Sequence, residues 1–465
     1  MSQARTIDAP YHLQPLVKLA ADPLRAMLAL QRRWGDHACW QDGDGRLYFA
    51  FGPTANKQVL CDTATFHACF CPLRGPRRSA QRRVTHGLLS MNGEEHKQHR
   101  HMLRIPFQRP SLVEYQPAFA EATAAMLARW RTDEVRDIAA DMNRLLLAIT
   151  ARLLFGIDDD GMALDMAQLL ERYMEASHRL GIAAVGWHLR EADQYEALLE
   201  LANQVEDRMR RLIAVRRRQK STDDSFLSVL LRLQGTAGNE LSDDELIGHA
   251  TLMFGAAQST TAYTLTWSLV LGALHPEAVA RVVPEVAAAV EGPRPAPASL
   301  GELPQLDRFI KESMRLLPAS VYLQRVVKRE VELGPFSLSP GETVVLSQWV
   351  THRMRQYFSE PKRFLPHRWE SLTAVPYSYI PFGMGPRLCI GNVWAMAILK
   401  TVLSMIWRRF DPQLCPDQRI DLALKATMLA PAGPVRMRLR PRGAATSNRT
   451  LPWGNLFEFV DIGRS

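Results

Sequence analysis

With 465 residues, 47% of them hydrophobic and 23% charged, the chain can bury a sizeable core, and its composition excludes collagenous, solenoidal and largely disordered classes. The formal charge of +9 is concentrated in two arginine clusters, RGPRRSAQRR at 74–83 and RMRRLIAVRRRQK at 208–220. Neither is interleaved with the aromatic residues that a single-strand platform needs, so docking of an acidic protein is favoured and no nucleic-acid partner is expected. The six cysteines, Cys39, Cys61, Cys69, Cys71, Cys389 and Cys415, are too few and too irregular for a disulfide framework, and no pair has zinc spacing.

From the N-terminus onward, MSQARTIDAPYHLQPLVKLAADPLRAML has no apolar run near the roughly 20 residues that cross a bilayer, and no signal-peptide layout. A soluble, cytoplasmic protein without a membrane span is expected. GRLYFAFG at 45–52 fits a short strand pair. Apolar residues recurring at three and four predict helices over 112–132, 135–155, 161–180 and 191–219. The longest pattern, 242–274, opens on a capping box from Ser242 to Glu245 and is apolar nearly all round, so it belongs in the middle of a protein. A Pro-rich loop at 291–305 precedes a helix over 306–318 that Pro318 ends. Strands are expected in 322–333 and 341–350, with turn residues between them. NVWAMAILKTVLSMIW at 392–407 is helical again. The reading is one mainly α unit with small β-sheets over 1–440, followed by a tail, 441–465, whose polar first half is linker-like and whose aromatic second half folds back on the body.

One stretch stands apart. PFGMGPRLCIGNVW at 381–394 sets a cysteine among glycines, prolines and an arginine, just before a helix N-terminus. Amide donors and the dipole there favour a thiolate. Phe382, Gly385, Arg387, Cys389 and Gly391 form F-x-x-G-x-R-x-C-x-G, which resembles the haem-binding loop of the cytochrome P450 family at every defining position. Three further stretches resemble that family in the expected order. GEEHKQHRHMLRIPF at 93–107 places His96 and Arg100 as propionate ligands, and Arg325 in LQRVV matches another; His99 and His101 read as surface residues. KESMR supplies Glu312 and Arg315 one helical turn apart, and Arg368 in EPKRFLPHRW completes a Glu–Arg–Arg cluster that is structural in the family.

The resemblance covers about residues 10 to 440. It implies the cytochrome P450 fold, with haem b between the long central helix and the cysteine loop. Cys389 would be the axial iron ligand, Arg387 would hold a propionate, and Gly385 and Gly391 would let the backbone pass close to the porphyrin. The central helix departs from the family's small–Gly–x–acid–Thr–Thr pattern. In FGAAQSTTAYTLTW the key threonine falls on Thr260, the acid on Ser259 and the glycine on Ala257; a one-residue shift puts Gln258 at the acid instead. Either way no carboxylate stands there, and a hydroxyl cannot act as a carboxylate acid near neutral pH. Gln258, Ser259 and water would have to relay protons to Thr260.

The implied activity is monooxygenation of a lipophilic small molecule, such as a terpenoid or steroid-like metabolite. It would use O2, with electrons reaching a monomer from NAD(P)H through an external ferredoxin and its reductase. By position, Phe254, Ala256, Val321, Tyr322, Met428 and Leu429 approach the substrate, and SHRLGIAAVGWHL at 177–189 resembles the mobile lid. The missing acid leaves open a peroxygenase or a redox-neutral isomerase or dehydratase. A non-enzymatic haem-binding protein would need neither lid nor apolar pocket.

Overall fold

The computed structural model describes residues 11–13, 19, 21–42, 45–69, 75–107, 109–156, 160–185, 192–219, 225–234, 241–292, 294–443 and 451–463. The chain divides into two compact units. The smaller comprises Met1–Phe70, Ser320–Pro361 and Ala374–Cys389; the larger comprises Cys71–Ala319, Lys362–Thr373 and Ile390–Ser465.

The smaller unit is built on a six-stranded sheet. Tyr11–Leu13 pairs in parallel with His37–Asp42, which forms a hairpin with Gly45–Ala50. Thr343–Leu346 lies beside Gly45–Ala50 in parallel and is antiparallel to Leu323–Val327, and Phe66–Ala68 completes the order. β-branched and aromatic residues at alternate positions put Tyr48, Ala50, Val344, Leu346 and Val327 into one core with Val59, Leu60, Phe66, Phe336 and Ile380. The stretch 322–333 is two strands, not one, and Phe336–Leu338 inside the expected turn pairs with Val331–Leu333. After Leu346 the chain turns helical at Gln348–Thr351, capped by Ser347, which shortens the strand expected over 341–350.

The larger unit is helical. Its axis is the helix Asp243–Leu274, with both halves of the Ser242–Glu245 capping box formed. Twenty-one of its residues are buried, as an all-round apolar helix requires. Close packing of this helix depends on Gly248, where a Cβ would stand 1.9 Å from the His86 carbonyl oxygen. Helices Arg109–Ala128, Asp160–Val185 and Ala192–Gln219 lie close to their expected spans. The helix expected from 135 starts instead at Ile138, because Val135–Asp137 is a strand paired with Arg436–Pro441. Asp137 then caps the helix by accepting from Ala139 and Ala140, and Gly156 ends it at φ +60°.

The second half of the tail, from Leu451, lies against the larger unit, with Leu456, Phe459 and Val460 buried. Its expected linker, 444–450, and residues 186–189 of the expected lid lie outside the described residues, as does Cys71. No helix among the described residues is long and apolar enough to cross a membrane.

Candidate functional site

In the smaller unit, the segment Pro381–Cys389 is held by its own backbone. The Cys389 amide donates to the Phe382 carbonyl at 2.9 Å, Leu388 to Gly385 at 3.0 Å and Gly383 to Ile380 at 3.0 Å. Gly385 sits at φ +73°, and a Cβ there would lie 2.9 Å from the Leu60 carbonyl oxygen. Its glycine therefore has a reason in the protein's own backbone: a left-handed turn pressed against Leu60. This loop leaves the Cys389 thiol exposed and outside any disulfide.

Arg325 stands on the strand Leu323–Val327. Its side chain is 7% exposed and donates to the Gln324 carbonyl at 2.8 Å, with no carboxylate partner among the described residues. Burial lowers its pKa to about 10. Close by, His67 on the paired strand is pulled below its ordinary value by burial and then by the charges of Lys328 and Arg387. The buried Arg325 cation, with Lys328 and Arg387 also acting on His67, forms a positive environment that an anionic group would stabilise.

In the larger unit, His96 and Arg100 lie one turn apart on the helix Gly93–Leu103, with His96 buried. Gly391 is the N-cap of the helix Asn392–Arg409, and a Cβ added there would meet nothing within 4 Å. The donor set and the open space at Gly391 both fit an iron porphyrin, whose propionates want cations and whose iron takes a thiolate.

On the central helix, the Thr260 hydroxyl donates to the Ala256 carbonyl at 2.9 Å. Tyr263 stands one turn beyond Ser259, and Gln258 is half-buried. Burial pushes the Tyr263 phenol up to about 12, and the carboxylates of Glu171 and Glu175 on the helix Asp160–Val185 add to the shift. That helix meets the central one where Met174 stands 2.7 Å from a Cβ built on Gly255. Sequence reasoning missed Tyr263 because its hydroxyl looks like any aromatic in an apolar run.

Of the residues expected to approach substrate, Phe254 is fully buried and stacked on Phe155, ring centroids 5.3 Å apart. Leu429 is fully buried and begins a hairpin with Met428, Leu422–Lys425 against Met428–Pro431. Its carbonyl accepts from Trp267 of the central helix at 2.8 Å and its amide donates to Ala319 at 2.9 Å. In the smaller unit, Val321 is buried and burial raises the Tyr322 phenol.

The Glu–Arg–Arg cluster is assembled within the larger unit. Arg315 donates twice to Glu312, at 2.9 Å each, and Arg368 once at 3.0 Å. The Leu365 amide and the Trp369 indole add two donors at 3.0 Å, and Arg315 also reaches the Arg363 carbonyl at 2.9 Å. Burial alone would raise the Glu312 carboxyl, but the two guanidiniums outweigh it and hold it below its ordinary value.

One expectation needs correction. His99 is not a surface residue: it is 8% exposed, and its Nδ1 lies 2.9 Å from Nε2 of the buried His249. The Leu88 amide donates to His249 Nδ1 at 3.2 Å, so His249 Nε2 carries the proton and donates to His99. His99 Nε2 then faces Glu245 at 3.5 Å. Within the basic clusters, arginines are engaged in ion pairs. Arg83 is paired in two bonds with Glu206, Arg210 with Glu206 and Asp244, and Arg217 with Asp243, so these arginines tie helices together.

Comparison with known proteins agrees with this geometry. The model of the cytochrome P450 family matches residues 11–437. Cyclooctat-9-en-7-ol 5-monooxygenase from Streptomyces melanosporofaciens is 29% identical over 435 residues, covering 90% of this chain and 91% of that protein. Cyclooctatin synthase from the same organism is 27% identical, covering 91% and 92%. Pentalenene oxygenase from Streptomyces avermitilis is 28% identical, covering 90% and 92%. The solved structure of retinoic acid-bound cyanobacterial CYP120A1 superposes with a TM-score of 0.80 at 21% identity, covering 93% of this chain and 99% of that one. The chain belongs to the cytochrome P450 family, in which haem iron is the characteristic cofactor, and is an oxidoreductase of the monooxygenase type.

Proposed function

We propose that this enzyme hydroxylates or epoxidises an apolar cyclic terpenoid, with Cys389 as the iron ligand. The single observation that carries the ligand assignment is the loop itself: a backbone-locked turn that presents one exposed thiol. Arg325, Arg387, His96 and Arg100 would hold the propionates of haem b, and Phe382 and Gly391 would flank the ring. Bound there, the haem supplies O2 activation and oxygen transfer.

The residues of the central helix manage protons and water. Thr260 holds its hydroxyl against the Ala256 carbonyl, and Ala256 and Ala257 keep the helix slim. Ser259, Gln258 and Tyr263, one helical turn beyond Ser259, are the polar groups of the central helix that would relay protons to Thr260. Relatives named as monooxygenases and oxygenases favour monooxygenation over the peroxygenase and isomerase readings.

Relatives named for cyclooctatin and pentalenene chemistry support a terpenoid substrate. Phe254, Ala256, Val321, Tyr322, Met428 and Leu429 are nearly all apolar side chains suited to it. Electrons would come from NAD(P)H through a ferredoxin and its reductase, to a cytoplasmic monomer.

The test is spectroscopic. Reduced protein under carbon monoxide should show the Soret band of a thiolate-ligated haem, and Cys389→Ser should abolish it. A band at the position of histidine ligation in the parent would end the assignment. Titration of the ferric form with pentalenene, fatty acids and steroids then reports the substrate class through the high-spin shift.

A further inference from the structure

We propose that the C-terminal segment Leu451–Asp461 is a strap that sets the position of the hairpin Leu422–Lys425/Met428–Pro431, with Asn455 as its positioning residue, and so tunes which substrates the enzyme accepts. The inference rests on the reading above that Met428 and Leu429 approach substrate. The strap lies beyond residue 437, where the match to the family model stops.

Three kinds of contact build it. First, Trp453 adds itself to the segment before the hairpin: its amide donates to Gln418 at 3.1 Å and its carbonyl accepts from Ile420 at 2.7 Å. Second, Asn455 stands in for a missing strand at Leu422. Its Oδ1 accepts from the Leu422 amide at 2.6 Å, its Nδ2 donates to the Leu422 carbonyl at 3.2 Å, and its own amide donates to Asp421 at 2.7 Å. Third, Gly454 at φ +131° brings the backbone so near that a Cβ would sit 2.3 Å from the Ile420 carbonyl oxygen. The far end is fastened too. Lys362 donates to the Glu458 carbonyl at 2.8 Å, and the Asp461 amide to the Lys362 carbonyl at 2.9 Å. Leu456, Phe459 and Val460 are buried between these attachments.

The hairpin is therefore held at two places. Its first strand is held by Asn455, and its second by Trp267 and Ala319 at Leu429. A short two-stranded element has little stability of its own, so loss of the Asn455 pairing frees the first strand and lets Met428 and Leu429 on the second drift relative to Trp267.

The experiment compares holoenzyme carrying Asn455→Ala or Asn455→Asp with the parent. Hydrogen exchange followed by mass spectrometry should show the amides of 422–429 exchanging about ten-fold faster in Asn455→Ala, the size of one lost backbone hydrogen bond. Exchange in the helix 243–274 should be unchanged. The apparent Kd for pentalenene from difference spectra should rise by about ten-fold while the reduced carbon monoxide spectrum stays that of the parent. Asn455→Asp keeps the acceptor for the Leu422 amide and loses the donor, so it should fall between. Unchanged exchange in the hairpin overturns the strap. Faster exchange with unchanged affinity overturns its role in selectivity. A parent without the thiolate band would defeat the haem assignment, and hydrogen exchange would still judge the strap by itself.

Discussion

Single residues carry the clearest conflicts between stability and function. Arg325 is a buried cation without a carboxylate among the described residues; such a group costs folding energy unless something anionic pairs with it. Arg325→Met should therefore stabilise the haem-free protein by about 1 kcal/mol or more in urea. The same change should speed haem transfer to apomyoglobin from the holoenzyme by about ten-fold. The two effects have opposite signs; a variant that loses stability in the haem-free form would contradict the argument. Tyr263 tests the proton route. Tyr263→Phe keeps the ring and removes only the hydroxyl, one helical turn from Ser259. Turnover should fall by about a hundred-fold, the lower range for a lost proton-transfer group, with a larger solvent isotope effect and unchanged substrate binding. Equal coupling of electron consumption to product in parent and variant would rule Tyr263 out.

At the scale of elements, the central helix and the helix Gly93–Leu103 are joined by the His99–His249 pair. Burial, followed by the charges of His99 and His86, lowers the His249 pKa to about 3, and burial lowers that of His99. Facing groups include Glu245 and Glu95, which pull His99 the other way. Because His249 stays neutral when folded and takes up a proton near pH 6.5 when unfolded, its contribution is intact above pH 6.5 and is lost as pH falls toward 3. At pH 5 this amounts to about 2 kcal/mol. Denaturation midpoints at pH 7 and 5 should show that slope, and His249→Leu should flatten it. A slope identical in both proteins would mean that other groups govern acid sensitivity. The histidine in a purely apolar run was visible in the sequence; its partner, 150 residues away, was not.

At the scale of the whole molecule, the buried Glu312 cluster joins the helix Pro304–Leu316 to residues 363–369 through four hydrogen bonds, and two more pair Glu312 with Arg315 within the helix. Glu312→Ala would strand the buried guanidiniums of Arg315 and Arg368, at a cost of about 3–5 kcal/mol. Expression should yield mostly insoluble protein, and a denaturation midpoint near that of the parent would refute the reading. Glu312 and Arg315 were legible as a pair because helical periodicity places i and i+3 on one face. Arg368 entered through the resemblance of its surrounding motif, and the contributions of Trp369 and the Leu365 amide had no signature at all.

Helix spans and the capping box follow from local rules, namely periodicity and capping, and the sequence by itself determined them; the cysteine loop was legible through the motif it resembles. Tertiary structure decided what depends on neighbours distant in the chain. It turned Val135–Asp137 into a strand because an edge at Arg436–Pro441 awaited pairing. It buried His99 against His249, spent cluster arginines on Glu206, Asp243 and Asp244, and gave Gly385 its purpose beside the Leu60 carbonyl. The physical reason is common to all of these: a side chain's partner is chosen by packing across hundreds of residues, and no local pattern encodes that choice.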